Sequence, residues 1–164
     1  MKIETTIENA INSATFSAKY FLALSLLMRQ SSFYIAFSQA HCPENTALFD
    51  EILTLILCNS SRLPLKKIER LIDKICPDTN DFAGDLEATI SVNVCNIMTE
   101  FARFLKEKDD ASIHSIIYWH LEITEFLILT QENLNQNDSE ITSKIENHEN
   151  YLKEKHDILR FLGQ

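Results

Sequence analysis

Ala88 to Thr99 reads ATISVNVCNIMT, twelve consecutive residues without a charge in a chain of 164 residues of which 24% are charged. A helix that offers water no polar face has to be covered on every side. The segment therefore predicts a central helix that opens at Gly84 or Asp85 and closes near Lys106. Downstream, Asp109 and Asp110 can cap a second interior helix, whose Ile113, Ile116, Ile117, Leu121, Ile123, Phe126, Leu127 and Leu129 wrap most of the way round. Upstream, Leu65, Ile68, Leu71, Ile72 and Ile75 fall at the i, i+3, i+4 spacing of one buried face, with Lys66, Lys67, Glu69, Arg70, Asp73 and Lys74 opposite. Pro64 opens this amphipathic helix and Pro77 stops it.

Helical periodicity extends toward both ends. A weakly patterned segment, Ile3 to Asn12, precedes an apolar helix from Phe16 to Arg29 that Ser13 or Thr15 can cap, and Ser32 to Gln39 continues it. His41, Cys42 and Pro43 break the pattern, Pro43 suits the first position of a helix running to about Cys58, and Asn59, Ser60 and Ser61 end that helix. Gln131 to Asn137 reads as a solvated connection, and Asp138 or Ser139 can cap a last helix running to Leu162. Strand signals are almost absent and no fixed-period repeat is visible. Two glycines and three prolines leave few turns. The expected fold is all-α, an irregular antiparallel bundle of about seven helices in a single domain spanning residues 1–164.

Charge excludes one class of partner. Fifteen Lys and Arg against 24 Asp and Glu leave −9, which repels phosphate backbones, so direct nucleic-acid binding is not expected. Residues 1–75 hold eight basic and seven acidic residues, whereas residues 76–164 hold seven and 17. Such asymmetry can steer a basic partner to one side of the molecule, although ordinary solubility is the simpler explanation. Met1, Lys2, Ile3 and Glu4 do not begin a secretory signal, and the strongest apolar run, Tyr20 to Met28, falls short of the roughly 20 residues that span a bilayer. A cytoplasmic protein without membrane contact is expected. Cys42, Cys58, Cys76 and Cys95 form no CxxC pair and read as free, buried thiols.

The motifs of catalysis are missing. Gly84 and Gly163 are the only glycines, so GxxxxGK, GxGxxG and GxSxG cannot be formed, and neither ExxH nor HExxH occurs. No cofactor, metal or catalytic residue is expected. His114 and His120 lie six apart, on different faces of one helix, which does not suit a shared metal. His148 falls in the stripe Ile141, Ile145, His148, Leu152, Leu159 and Leu162, where a satisfied histidine at the core edge is preferred to a ligand or base. His41 and His156 read as surface residues, Cys95 as a buried structural thiol, and Tyr118 and Trp119 as core. A helical enzyme or metal carrier built on His114, His148 or Cys95 is the weakest of three readings.

The acids carry more information. Asp78, Asp81, Asp85 and Glu87 place four carboxylates in ten residues, and Glu107, Asp109 and Asp110 place three at the next turn but one. Helix capping accounts for Asp81, Asp85 and Asp110. It does not account for the gathering of these clusters, with Glu132, Asp138, Glu140, Glu146 and Glu149, in one half of the chain. A basic protein partner touching Asp78, Asp81, Asp85, Glu87, Asp109 and Asp110 would.

Residues Phe33 to Gln39, Leu48 to Leu53, Ile68 to Ile75 with Pro77, and Asp81, Phe82, Ala88 and Cys95 resemble the YjaG-like bacterial domain of unknown function. That family reads as an FxQ helix, an IL helix, an IP-x-x-DDF turn and a helix of small and apolar residues, and the likeness covers about residues 16–130. The chain departs from it at Asn80, where the first acid of the turn would stand, and at Ala83 and Gly84, where the family shows Tyr-Gly. The resemblance implies an all-helical bundle in a bacterial cytoplasm, a non-catalytic housekeeping adaptor or homodimer, and no catalytic residues. In general character the chain also resembles the immunity proteins paired with bacterial contact-dependent toxins. That likeness implies an inhibitor that blocks a basic toxin domain, most simply a nuclease, with a carboxylate-rich surface that mimics phosphate.

Overall fold

The computed structural model describes residues 4–58, 63–78, 80–82, 84–134 and 139–164, and every regular element among them is a helix. Eight are present: α1 (Thr5–Ser13), α2 (Phe16–His41), α3 (Glu44–Cys58), α4 (Leu65–Ile75), α5 (Leu86–Glu107), α6 (Asp110–Gln131), α7 (Ile141–Glu146) and α8 (Glu149–Phe161). The ends expected at Asn59 to Ser61 and the cap expected at Asp138 lie outside the described residues.

The caps follow local chemistry. Thr15 accepts the Ala18 amide of α2 at 3.2 Å, Asp85 accepts the Glu87 and Ala88 amides of α5 at 2.8 and 3.2 Å, and Asp109 accepts the Ser112 amide of α6 at 2.8 Å. Each supplies an acceptor for first-turn N–H groups that have no carbonyl partner in the helix.

The weakly patterned opening is a helix in which Ile7, Ala10 and Ile11 stand at i, i+3, i+4 and are buried. Ser32 to Gln39 continue the helix from Phe16 as expected; Gln30 and Ser31 within it face inward, and the Ser31 hydroxyl donates to the Leu27 carbonyl at 2.8 Å, which satisfies it within the helix. One segment differs from the expectation. The last helix is two helices. His148 adopts an extended conformation, φ −68° and ψ 138°, and its Nδ1 accepts the Asn150 amide at 3.2 Å, so this histidine caps α8 instead of lying in a continuous apolar stripe.

Pairwise contacts fix the direction of each helix. Phe16 stacks on Phe104 and Tyr20 packs at a tilt against Phe101, so α2 runs antiparallel to α5. Lys19 meets Asp110 and Gln30 meets His120, so α2 runs parallel to α6. Tyr34 stacks on Phe49 and Ser38 bonds Thr46, which sets α3 antiparallel to α2. Arg103 holds Glu69 while Cys95 meets Cys76, which sets α4 antiparallel to α5. In sum α2, α4 and α6 point one way, and α3, α5 and α8 the other.

The core forms where α2, α4 and α6 close over α5. Val94, Ile97, Met98, Phe101, Ala102 and Phe104 of α5 are fully buried, as is Cys95. Among the described residues no helix is long and apolar enough to cross a membrane. One buried polar group ties three helices: the Tyr34 ring lies 4.6 Å from Phe49, and its hydroxyl donates to the Ile75 carbonyl at 2.8 Å at the end of α4. Tyr34→Phe leaves that carbonyl unsatisfied. Urea unfolding of the variant is expected to show a loss of about 1–3 kcal/mol with an unchanged dependence on denaturant.

Candidate functional site

The alternating directions divide the expected acidic site. Asp78, Asp81, Asp85 and Glu87 lie at the end of the bundle where α4 stops and α5 begins. Asp109 and Asp110 lie where α5 stops and α6 begins. Twenty-two residues of α5 separate the two groups, about 33 Å at 1.5 Å per residue. No single face holds all six.

Their surroundings differ as much as their positions. Asp85 and Asp109 are committed to caps, and Asp110 takes the Lys19 ammonium at 2.6 Å. Asp78 turns inward on its own loop, its Oδ1 accepting the Asn80 amide at 2.8 Å, yet it remains exposed, as do Asp81 and Glu87. Asp78, Asp81 and Glu87 enter no ion pair among the described residues. The connection that carries them is anchored by Phe82, whose ring packs edge-on against Phe37 and His41 at 5.2 and 5.3 Å.

Helix direction turns a difference between halves of the chain into a difference between ends of the molecule. Glu44, Glu132 and Glu149, at the start of α3, the end of α6 and the start of α8, share the end that carries Asp78, Asp81 and Glu87. The opposite end has Lys66, Lys67 and Lys106 along one cleft that Glu107 also lines, with Lys67 paired to Glu51, and Lys108 over the Phe16 ring. One end is acidic, and at the other the lysines are interspersed with Glu107, Asp109 and Asp110.

A second polar arrangement left no mark in the sequence. His120 is completely buried between α2 and α8. The Gln30 amide nitrogen lies 2.8 Å from its Nδ1, and its Nε2 lies 3.0 Å from a Glu154 oxygen. The other Glu154 oxygen accepts the Arg29 guanidinium at 2.5 Å. Burial opposes ionisation of Glu154, but the hydrogen bonds from His120 and Arg29 prevail and hold its carboxyl down at about 2. Gln30 Oε1 is buried without a partner among the described residues. Arg29, Gln30 and Glu154 also border a cleft of about 270 Å³ between α2, α6 and α8 that Lys153 and Asn150 close.

The remaining sulfur and histidine positions divide between core and surface. Cys95 is buried, and a hydrogen bond with Cys76, then burial, holds its thiol well above the ordinary range; Cys76 and Cys42 are half-buried. Cys58 is exposed, contrary to the expectation of four buried thiols, because it ends α3 on the outer side. His41 and His156 are exposed and His114 is half-buried. Among the described residues no three His, Cys, Asp or Glu side chains are grouped to hold a metal ion.

Because the folded state lowers the Glu154 pKa, the unfolded chain binds that proton more readily. The stability it lends is therefore complete above about pH 4.5 and is lost as the pH falls toward about 2. Glu154→Gln is expected to cost about 1–3 kcal/mol at neutral pH and to flatten the decline in stability between about pH 5 and pH 2.5, read by urea unfolding at several pH values. No protein-family model matches the chain, and neither a curated protein nor a solved structure matches it significantly.

Proposed function

We propose that the protein is an immunity-type inhibitor that binds and blocks a basic toxin domain, most simply a nuclease of a bacterial contact-dependent competition system. The observation that carries this reading is the acidic end of the bundle, where Asp78, Asp81 and Glu87 stand exposed and, among the described residues, without ion pairs, near Phe82, whose ring packs on Phe37. Carboxylates presented together at one end of a bundle can take the place of phosphates in a cleft built to bind nucleic acid. The net charge of −9 adds long-range steering, which raises the rate of association with a basic surface.

Protection at nanomolar affinity requires about −12 kcal/mol and about 800 Å² buried on each side. The acidic carboxylates alone supply neither. They set orientation and rate, while uncharged surface around them supplies the burial. Asp85, Asp109 and Asp110 are structural in this scheme, since each already serves a cap or an ion pair.

The test is a titration against the toxin domain encoded immediately upstream, at two salt concentrations. A one-to-one complex that loosens with salt is the expected result. The triple variant Asp78→Lys, Asp81→Lys, Glu87→Lys should bind at least about tenfold more weakly and with a flatter salt dependence. An unchanged affinity would remove these residues from the interface, and no complex with the wild type would remove the inhibitor reading. Asp85→Lys is unsuitable as a probe because it also deletes the α5 cap, worth about 1 kcal/mol.

A further inference from the structure

Helix α2 has an outer face unlike that of a solvated helix. Over Phe16–His41 it contains no Asp or Glu, and its Lys19 and Arg29 are both spent in ion pairs with Asp110 and Glu154. Along its outer side stand Phe21, Ser25, Met28, Ser32, Ile35 and Gln39, spaced 4, 3, 4, 3 and 4 residues apart, with Ser25 and Ile35 half-buried and the other four exposed. Phe21 and Met28 are 59% and 51% exposed. This is the spacing of a helix–helix seam, with large side chains at one position and serines at the other. An uncharged seam on the surface of a protein that is 24% charged calls for a covering surface.

The seam and the charges around it select the occupant. Met28 lies at the midpoint of the helix, so a twofold axis there sets Phe21 of one copy opposite Ile35 of the other, and the serines leave room between them. Antiparallel pairing also brings unlike ends together. Lys108 lies 5.7 Å over the Phe16 ring at the start of α2, while Glu44 follows its end and Asp81 adjoins Phe82, which packs on Phe37. A parallel arrangement would set acid against acid.

We propose that a second copy of this chain covers the outer face of α2, in an antiparallel α2–α2 pair centred on Met28, with Lys108 of each copy directed toward the acidic end of the other. The groove of about 410 Å³ formed by Phe16, Tyr20, Phe21, Leu57 and Lys108 extends the contact at both ends of the pair. This dimer does not rest on the inhibitor reading, since the face lies along the side of the bundle.

Sedimentation of the purified full chain at about 10–200 μM decides the matter. Expected is a species of twice 18.9 kDa that dissociates on dilution and as NaCl rises from about 0.05 to 0.5 M. Met28→Glu faces two carboxylates across the axis and should weaken the dimer at least tenfold with unchanged helicity and melting of the monomer, the site being exposed; Phe21→Glu should act likewise. A wild-type monomer of 18.9 kDa at about 200 μM overturns the proposal. So does a dimer that survives both substitutions, and so does a monomer whose complex with the toxin domain is lost in Met28→Glu, which would give the face to a different protein.

Discussion

A helix without charges along its middle has to be largely covered, and α2, α4 and α6 pack on α5 so that from Ala88 to Leu105 only the stripe of Thr89, Val92, Asn96, Thr99, Glu100 and Arg103 stays half-exposed. Its inner residues, from Val94 to Phe104, have no solvent exposure. Two of the polar side chains it carries have partners, Thr99 donating to the Cys95 carbonyl and Asn93 to Glu122 on α6, while the buried Ser91 hydroxyl has none among the described residues. Removing this much apolar surface from water, at about 25 cal/mol per Å², is the dominant favourable contribution to folding. Every neighbour is placed by the need to cover α5, and short connections force neighbours in sequence to run in opposite directions.

From that constraint the electrostatic shape follows. With α5 and α6 antiparallel, acids that precede α5 and acids that precede α6 go to opposite ends. The lysines that close α5 and open α4 collect at one end, and the acids that open α3, α5 and α8 collect at the other. The molecule is thereby polar along its length, while its longest helix is uncharged along its outer side. These two surfaces differ in physical kind, one long-ranged and sensitive to salt, the other short-ranged and dependent on fit.

Most of the fold was legible because it is written at short range. The i, i+3, i+4 spacing of Leu65 to Ile75, the uncharged run from Ala88 to Thr99 and the acids at Asp85 and Asp109 each act within a few residues of chain. The bundle they indicate is the one observed, with eight helices among the described residues where about seven were expected. What was not legible depends on distance in sequence. Gln30 and His120 are 90 residues apart and His120 and Glu154 are 34 apart, so no local pattern marks the network. The acidic site was read as one surface because spacing along the chain does not reveal helix direction. His148 is the satisfied, half-buried histidine the sequence suggests, but its cap is not legible there: an imidazole accepting a backbone amide can end one helix and begin another, a role that apolar periodicity does not register.

The two-residue connection between α5 and α6 has a bearing on how the chain finds this arrangement. Lys108 takes a left-handed conformation, φ 58°, and Asp109 caps at once, so the central pair of helices is joined by almost the shortest possible loop. Loop-closure entropy is small for such a hairpin, and its apolar faces reward contact before any distant segment arrives. A left-handed lysine costs of order 1 kcal/mol. That strain is set against the gain from joining the two most apolar helices at minimal entropic cost, and it places residues 108 and 109 where they influence the rate of folding as well as the stability of its product.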